Sequence, residues 1–381
     1  MKIGIDARFA LHQRRGIGNY TLQLIHHLSD LDTQNEYVLY TDQDDINRVL
    51  PRKSNFVLRK ITPASYPVWE QVMLPLRAAK DAIDILHCTG NTAPIYLDRR
   101  IKLISTIHDV MFLKDDSELP KSASLYQRAG RFYRKVIVPK TIARLSMVLT
   151  VSEFSKRDIM HHIRVIKDDS IKVTHEAASK SYRRLDRANA SHKIPQKLSI
   201  RDPYVLTLGA LDPRKNTESV IRKFIELKAE RKITEKLVIV GVPHWRQTKF
   251  YQMVHKSAFA DDFLFTEFLS EEELAFLYSG AKAFLYPSSY EGFGIPLLEA
   301  MACGVPVITS NTTSIPEVVG NAALLIDPLD GEELKSALLK ILNEEGLREV
   351  LISRGLDQAK KFSWIKTAKE TLLAYESVYQ K

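Results

Sequence analysis

Short apolar runs alternate with helical patterns along almost the whole chain, and this alternation constrains the fold more than any other feature. It is typical of βα units built around parallel sheets. The strands predicted in the first half are Lys2–Asp6, Glu36–Thr41, Asn55–Arg59, Ile83–His87, Lys102–His108 and Ser146–Val151. Those predicted in the second half are Tyr204–Gly209, Lys236–Gly241, Phe263–Phe268, Ala283–Pro287, Val305–Thr309 and Ala322–Ile326. We therefore predict an α/β protein with two doubly wound, Rossmann-like parallel-sheet domains and a cleft between them.

A polar segment, Ser179–Asp202, separates the two sets of strands and is nearly free of apolar periodicity. Such a segment is typical of a linker. With 381 residues the chain has room for two domains, and we place them at 1–180 and 197–362. Ligands of doubly wound sheets bind outside the carboxyl ends of the strands, so we expect the functional residues in the loops that follow strands.

The composition excludes several other classes of protein. Hydrophobic residues make up 45% of the chain and charged residues 27%, which is ordinary for a folded globular protein and not for a disordered one. No apolar run approaches the roughly 18 residues of a membrane-spanning helix, and the opening MKIGIDARF predicts a strand instead of a secretory signal. The two cysteines, Cys88 and Cys303, lack metal-ligand spacing. We therefore expect a cytoplasmic protein.

The net charge of +9 comes from 55 basic and 46 acidic residues, and part of it is concentrated in one segment. The segment 121–144 holds seven basic residues, no acidic one, and the aromatic residues Tyr126, Phe132 and Tyr133. A helix of this kind could lie on an anionic membrane surface, or it could be a solvated face with a buried aromatic stripe. Nucleic acid is a poor candidate for the partner, because acidic residues offset the positive charge and no nucleic-acid-binding motif is present.

The segment Tyr286–Thr309, YPSSYEGFGIPLLEAMACGVPVIT, carries the most chemical information. A strand ends near Pro287, a loop with two glycines follows, and Pro296 stands where the first turn of a helix favours proline. The backbone amides of Phe293, Gly294 and Ile295 would then lie at a helix N-terminus. Unpaired amide donors and the helix dipole make such a terminus a binding site for phosphate.

Two glutamates flank this helix start. Glu291 lies in the loop and Glu299 lies near the first turn of the helix, and carboxylates are natural acceptors for sugar and ribose hydroxyls. Glu299 alone could simply complement the dipole of a short connecting helix. That alternative explains neither the paired glycines nor the second glutamate.

The stretch Glu291–Ile308, EGFGIPLLEAMACGVPVI, resembles the E-x7-E region of the retaining glycosyltransferases of family 4, which have the GT-B fold. Further motifs similar to those of the family occur in the same order along the chain: RGIGNY (15–20), TIHDV (106–110), TVSEFSK (150–156), GALDPRKN (209–216), SIPEVVG (314–320) and AALLIDP (322–328). The resemblance therefore extends over both halves of the chain.

The resemblance implies a role for each matching residue of the second half. Glu299 would hold the ribose hydroxyls and Glu291 the transferred sugar, while Arg214 and Lys215 would hold the diphosphate. Considered by themselves, two adjacent cations after a strand could neutralise a pyrophosphate, or they could be an ordinary solvated pair. Neutralisation by these cations and the helix N-terminus would require no metal, and no cofactor is predicted.

In the first half, the resemblance implies that the loop containing Gly16 and Gly18 closes over the donor phosphates and the acceptor. It also places His108 near the transferred sugar, although a histidine at a strand end is more often an ordinary hydrogen-bonded residue. The last helical stretch, 363–381, would pack back onto the first domain. The acidic cluster Asp42, Asp44 and Asp45 is better explained as a polar turn than as a metal site.

The motif set looks most like that of bacterial mannosyltransferases, and it favours GDP-mannose as the donor and a glycan or lipid-linked glycan of the cell surface, such as lipopolysaccharide, as the acceptor. UDP-glucose or UDP-GlcNAc is the alternative donor, because users of UDP-sugars share nearly the same motifs. A nucleotide-cofactor oxidoreductase is a second alternative, but Thr21 replaces the third glycine of its fingerprint after Gly16 and Gly18. A non-catalytic sugar-binding protein is the third.

Overall fold

The computed structural model describes residues 1–12, 16–63, 65–114, 125–185, 198, 200 and 202–380, and these form two units. Within the described ranges, the first unit comprises residues up to Glu176 together with Ser363–Lys381, and the second is Ala177–Phe362. Lys121 of the basic segment, Arg15 of the RGIGNY motif and most of the predicted linker lie outside the described residues. None of the helices in the described part of the chain has both the length and the apolar character needed to cross a bilayer.

The first unit is built on a parallel sheet of seven strands in the order β3-β2-β1-β4-β5-β6-β7. The strands are β1 (Lys2–Asp6), β2 (Glu36–Thr41), β3 (Phe56–Lys60), β4 (Ile85–Cys88), β5 (Lys102–Thr106), β6 (Met147–Thr150) and β7 (Ile171–Val173). In register, Ile3 lies opposite Tyr37 on one side and Ile85 on the other. The order of the strands reverses at β1, so the carboxyl ends of β1 and β4 form a topological switch point.

Helices cover the sheet of the first unit. They are α1 (Arg8–Leu11), α2 (Ile17–Leu31), α3 (Tyr66–Val68), α4 (Leu74–Lys80), α5 (Leu125–Ile142), α6 (Glu153–His162) and, at the end of the chain, α14 (Trp364–Tyr379). A π-helical turn, Trp69–Met73, joins α3 to α4, and short 3-10 turns lie at Met111–Leu113 and Asp168–Ser170. The final helix α14 packs on α2, and its Tyr375 hydroxyl lies 2.7 Å from Nδ1 of the buried His87.

The second unit has a parallel sheet of six strands in the order β10-β9-β8-β11-β12-β13. The strands are β8 (Tyr204–Leu208), β9 (Lys236–Val240), β10 (Phe263–Thr266), β11 (Phe284–Tyr286), β12 (Val307–Ser310) and β13 (Ala323–Ile326). Its helices are α7 (Thr217–Ala229), α8 (Lys249–His255), α9 (Glu271–Gly280), α10 (Ile295–Ala302), α11 (Ile315–Val319), α12 (Gly331–Asn343) and α13 (Glu345–Ala359), with 3-10 turns at Pro213–Lys215, Trp245–Gln247 and Ala260–Asp262. The switch point of this sheet lies between β8 and β11.

The prediction of two doubly wound parallel sheets is confirmed. Each of the twelve predicted strands is present with its ends within two residues of those expected. Most of these strands are buried on both faces, and such strands carry continuous apolar runs; the exceptions are the edge strands β3 and β13, in which only Phe56 and Ile326 are buried. The edge strand β7 was not predicted, because it has three residues and only Ile171 is buried. The strand predicted to run to His108 ends at Thr106.

Candidate active site

Two loops of the second unit meet at the switch point between β8 and β11. The loop after β8 contains the 3-10 turn Pro213–Lys215, and the loop after β11 runs to the start of α10. The amide of Ser289 donates a hydrogen bond of 2.8 Å to the carbonyl of Arg214, and the side-chain amide of Asn216 donates one of 2.7 Å to the carbonyl of Pro287. One motif holds the residues predicted to bind the diphosphate and the other holds the glutamate predicted to bind the sugar. The two motifs are therefore hydrogen-bonded to each other.

Lys215, Glu291 and Tyr286 form the centre of this arrangement. The ammonium group of Lys215 is ion-paired with the Glu291 carboxylate and lies 2.7 Å from the Tyr286 hydroxyl. Burial by itself raises the pKa of Glu291, but the charge of Lys215 and hydrogen bonds from Ser288 and Tyr286 outweigh it and leave the pKa below its ordinary value. Glu291 is therefore held as a carboxylate between a cation and a phenol.

The other predicted cation is also paired, so Arg214 and Lys215 are not the ordinary solvated pair that the sequence left open as an alternative. The Arg214 guanidinium forms an ion pair with Asp212, and the same carboxylate accepts a hydrogen bond of 3.0 Å from the Arg214 amide. Because Asp212 caps the 3-10 turn and Lys215 is bound to Glu291, the two basic side chains have different carboxylate partners. A bound diphosphate would share these cations with carboxylates.

The start of α10 has the geometry that the glycines predict. Gly294 precedes the helix with φ of 111°, a conformation that L-residues rarely adopt, and Pro296 lies in the first turn. The hydroxyl of Ser314 lies 2.8 Å from the Phe293 carbonyl and 3.0 Å from the Glu291 carbonyl, so it fixes the backbone of the loop before α10. The amides of Phe293, Gly294 and Ile295 accordingly stand at a helix N-terminus.

Glu299 lies on α10, buried to 7% exposure. Its carboxyl group has two tyrosine neighbours, with the Tyr278 hydroxyl at 3.4 Å and a hydrogen bond from Tyr182. Burial and the nearby charge of Glu271 raise the pKa of Glu299 to about 8, although the two tyrosines act in the opposite direction. Glu291 and Glu299 both raise the pKa of Tyr286, so both predicted glutamates lie near this phenol.

Tyr182, Tyr278 and Tyr286 are site residues that the sequence analysis missed. Tyr182 falls in the segment assigned to the linker, yet it packs edge-on against Tyr278 with 6.0 Å between ring centroids. Nearby, the Ser179 hydroxyl donates a hydrogen bond of 2.7 Å to Glu271. The described start of the predicted linker is therefore a packed part of the second unit. Tyr286 could have been found, since it ends a buried strand directly before the glutamate motif.

In the first unit, His108 is buried near the end of β5 and both of its ring nitrogens face acceptors. Nε2 lies 3.0 Å from the Thr89 carbonyl, and Nδ1 lies 3.4 Å from the carboxylate of Glu176. The ring of Tyr20 packs edge-on against the imidazole with 4.7 Å between centroids. Glu176 was missed because nothing in its local sequence indicates a partner so distant along the chain.

The glycines of the RGIGNY motif lie at the start of α2. Gly16 precedes the helix with φ of 35° and is exposed. Gly18 is buried in the first turn of α2, so it belongs to a helix and not to the loop that the sequence analysis expected. Gly16 and Gly18 therefore lie on either side of the helix start at Ile17.

The acidic cluster after β2 forms a turn bound to its own surroundings. The carboxylates of Asp42, Asp44 and Asp45 contact, in that order, His12 at 2.9 Å, Lys60 at 2.6 Å and the Val49 amide at 2.8 Å. Among the described residues there is no group of three or more His, Cys, Asp or Glu side chains that could hold a metal ion.

Both halves of the chain match family models of glycosyltransferases. Residues 14–177 match the model described as Glycosyltransferase Family 4, and residues 190–358 match the model described as Glycosyl transferases group 1. O-antigen chain mannosyltransferase B of Escherichia coli is 30% identical over 378 residues, which covers 95% of this chain and 96% of that protein.

Solved structures share the fold over the whole length. Sucrose-phosphate synthase from Thermosynechococcus elongatus superposes with a TM-score of 0.79 at 18% identity, and the match covers 100% of this chain and 99% of that one. Anabaena HepE in complex with UDP-glucose gives a TM-score of 0.74 at 16% identity and covers 99% of this chain and 100% of the other.

Proposed function

Since the chain belongs to glycosyltransferase family 4, we propose that it transfers mannose from GDP-mannose to a hydroxyl group of a glycan or lipid-linked glycan in cell-surface polysaccharide biosynthesis. The observation that carries this proposal is the similarity to an O-antigen chain mannosyltransferase over 95% of the chain. The family models of both halves describe glycosyltransferases, so the oxidoreductase alternative has no support.

Each part of the donor then has a partner in the second unit. The carboxylate of Glu299 accepts hydrogen bonds from the ribose hydroxyls, and the carboxylate of Glu291 accepts a hydrogen bond from a hydroxyl of the transferred sugar. Lys215, Arg214 and the amides at the start of α10 bind the diphosphate, where aligned donors and the helix dipole favour an anion. Because these groups already neutralise the leaving group, we propose that the reaction requires neither a metal ion nor a cofactor.

The transfer proceeds with retention of the anomeric configuration. The bond between the sugar C1 and the β-phosphate oxygen breaks, and the acceptor oxygen bonds to C1 on the face that the diphosphate leaves. The acceptor proton passes to the departing phosphate oxygen, and the nucleoside diphosphate is released. Positive charge from Lys215 and Arg214 stabilises the phosphate as it departs.

The first unit binds the acceptor. His108, at the carboxyl edge of its sheet, contacts the transferred sugar, and the backbone near Gly16 and Gly18 approaches the donor phosphates. In this arrangement, Glu176 and the Thr89 carbonyl fix the plane of the imidazole, because each contacts one of its two ring nitrogens. Glu176 is thus a positioning residue for His108.

A UDP-sugar, UDP-glucose or UDP-GlcNAc, is the second candidate donor. The similarity in fold to HepE, which was solved with UDP-glucose, is the observation that favours this second donor. A GDP-sugar and a UDP-sugar present the same diphosphate and ribose to the residues named above. The nucleobase and the transferred sugar are the parts in which the two donors differ.

We place the protein in the cytoplasm, at the inner face of the membrane. Its two cysteines are unpaired and buried, as is usual in a reducing compartment. The basic segment 121–144 would face anionic lipid, which would keep the enzyme near a lipid-linked acceptor.

Thermal unfolding with GDP, UDP, ADP and NAD at millimolar concentration tests the donor. A ligand at about 100 times its dissociation constant adds roughly 2.7 kcal/mol to the free energy of unfolding, which raises the melting temperature by several degrees. Stabilisation by GDP alone would support GDP-mannose as the donor. Stabilisation by UDP alone would indicate a UDP-sugar donor instead.

The anomeric configuration of the product, read by NMR, then tests retention. A protein that binds a nucleotide sugar but yields no product with any glycan acceptor would be the non-catalytic sugar-binding protein.

A further inference from the structure

A short segment of the second unit, residues 179–184, is attached to both α9 and α10. The Ser179 side chain is buried, and its hydroxyl donates a hydrogen bond of 2.7 Å to Glu271 at the start of α9. The backbone amide of Arg183 donates a hydrogen bond to the sulfur of Cys303, directly after α10. The segment is therefore fixed to the two helices at both of its ends.

Tyr182 lies between these two contacts along the chain and reaches the carboxyl group of Glu299. It is 7% exposed, and its ring packs edge-on against Tyr278 of α9. The Tyr278 hydroxyl lies 3.4 Å from Oε2 of Glu299, and the Tyr182 hydroxyl donates a hydrogen bond to the same carboxyl group. Two phenols from separate parts of the chain therefore contact Glu299.

The two phenols leave part of the capacity of Glu299 unused. An ionised carboxylate has about four lone-pair positions that accept hydrogen bonds. If Tyr182 and Tyr278 each take one position, two remain for the two hydroxyl groups of a ribose diol. Glu299 can therefore bind the diol without releasing either tyrosine, and the phenols fix the orientation of the carboxylate plane.

The groups around Glu299 act on its protonation in opposite directions. The titratable side chains that surround it are Glu271 and Tyr278 of α9, Tyr182, Cys303 and Tyr286 of β11. Burial raises the pKa of both Cys303 and Tyr286, so these two groups stay neutral. Burial and the charge of Glu271 favour the neutral acid of Glu299, whereas the hydrogen bonds from the two phenols favour its carboxylate.

We propose that Tyr182 is a positioning residue for the donor, whose hydroxyl orients the Glu299 carboxylate and keeps it ready to accept the ribose hydroxyls. The inference rests on the proposed function, which makes the ribose the ligand of Glu299. Without the Tyr182 hydroxyl, Glu299 remains buried beside Glu271 but loses one of its hydrogen-bond donors. Its pKa then rises further, and fewer of the carboxyl groups are ionised at neutral pH.

The test compares donor affinity in the full-length Tyr182→Phe variant and in the unsubstituted chain, with GDP-mannose as the ligand. At pH 7 the variant should bind about tenfold more weakly, because it loses a hydrogen bond to an ionised group. At pH 9, where more of the carboxyl groups are ionised in both proteins, the difference should shrink to about twofold. An equal loss at both pH values would mean that Tyr182 only packs, and would overturn the proposal. Tighter binding by the variant would also overturn it, since Tyr182 would then compete with the ribose.

Two controls show whether the effect passes through Glu299. Tyr251→Phe removes a tyrosine hydroxyl of the same unit, where the ring packs against Trp245 and His255, and this variant should bind like the unsubstituted chain at both pH values. In a Glu299→Gln background, Tyr182→Phe should change the affinity by the same factor at pH 7 and pH 9, because the carboxyl group that titrates is gone. A pH-dependent effect in that background would contradict the role of Tyr182 through Glu299.

NMR of tyrosines labelled with 13C at Cζ tests the contact without any ligand. The signal of Tyr182 is assigned by its absence from Tyr182→Phe. In the unliganded protein this signal should follow the ionisation of Glu299, with a midpoint near pH 8, and it should stay constant in Glu299→Gln. A Tyr182 signal that does not change with pH in the unsubstituted chain would overturn the proposal, even in a protein that binds its donor.

The two measurements separate this inference from the proposed function. If GDP-mannose, UDP-glucose and UDP-GlcNAc all fail to bind although the Tyr182 signal follows Glu299, the proposed function is wrong and the hydrogen bond is only structural. If a nucleotide sugar binds and Tyr182→Phe has the pH profile of the unsubstituted chain, only the role of Tyr182 is wrong.

Discussion

Glu299 gives the most specific prediction, because its protonation should control donor binding. Burial and Glu271 raise the pKa of its carboxyl group to about 8 in the unliganded protein. A ribose diol donates hydrogen bonds, and the ionised carboxylate accepts them better than the neutral acid does. Donor binding should therefore favour the ionised form and release a proton.

The expected size follows from the position of this pKa. At pH 7, one unit below it, about a tenth of the carboxyl groups are ionised, and at pH 9 about nine-tenths are. The association constant should therefore rise roughly tenfold between pH 7 and pH 9, and by roughly another factor of ten from pH 6 to pH 7. Near pH 7, binding should release close to one proton per donor molecule.

Isothermal titration calorimetry between pH 6 and pH 9 measures both quantities. The ligand should be an intact nucleotide sugar, whose diphosphate has no terminal phosphate that titrates in this range, in contrast to a free nucleoside diphosphate. Two buffers of different ionisation enthalpy give the number of protons released. The Glu299→Gln variant should bind weakly at every pH, with an affinity like that of the unsubstituted chain at pH 6. A flat pH profile for the unsubstituted chain would refute the reasoning, and so would an unchanged slope in Glu299→Gln.

Three further outcomes are expected. Lys215→Ala should lower kcat/KM at least about 100-fold, since it removes a cation from the departing diphosphate; near-normal turnover would exclude that role. Glu176→Gln should lower kcat with little change in donor affinity and should shift the imidazole 15N resonances of His108, whereas unchanged resonances would mean that Glu176 does not hold the ring. Arg8→Met should destabilise the protein by about 3–5 kcal/mol, because it leaves two buried carboxylates without their cation. Arg100→Met, which breaks an exposed pair, should leave the free energy of unfolding in denaturant titration nearly unchanged, because solvent screens exposed ion pairs; equal losses in the two variants would contradict this assignment.

The strands were predictable because burial on both faces of a parallel sheet leaves an unbroken apolar run in the sequence. Where a strand is short and half-buried, as in Ile171–Val173, the run is absent and the signal is lost. The helix start at Ile295 was also predictable. Gly294 and Pro296 each meet a local backbone requirement, and a local requirement leaves a local mark in the sequence.

The partners of the site residues were not predictable in this way. Lys215 pairs with Glu291 and Tyr286 only because β8 and β11 are neighbours in the sheet. One of the two tyrosines that contact the Glu299 carboxyl group is Tyr182, which local composition assigned to a linker. Such contacts join residues distant in sequence, and no spacing pattern encodes them.

The sequence by itself determined the GT-B type of fold, the glutamate motif and the family, because backbone periodicity and turn chemistry are local properties of the chain. Only the tertiary structure decided the raised pKa of Glu299 and the carboxylate partners of Arg214 and Lys215. These properties depend on burial and on which elements pack together. The chain acquires them only when distant segments exclude water from the same place.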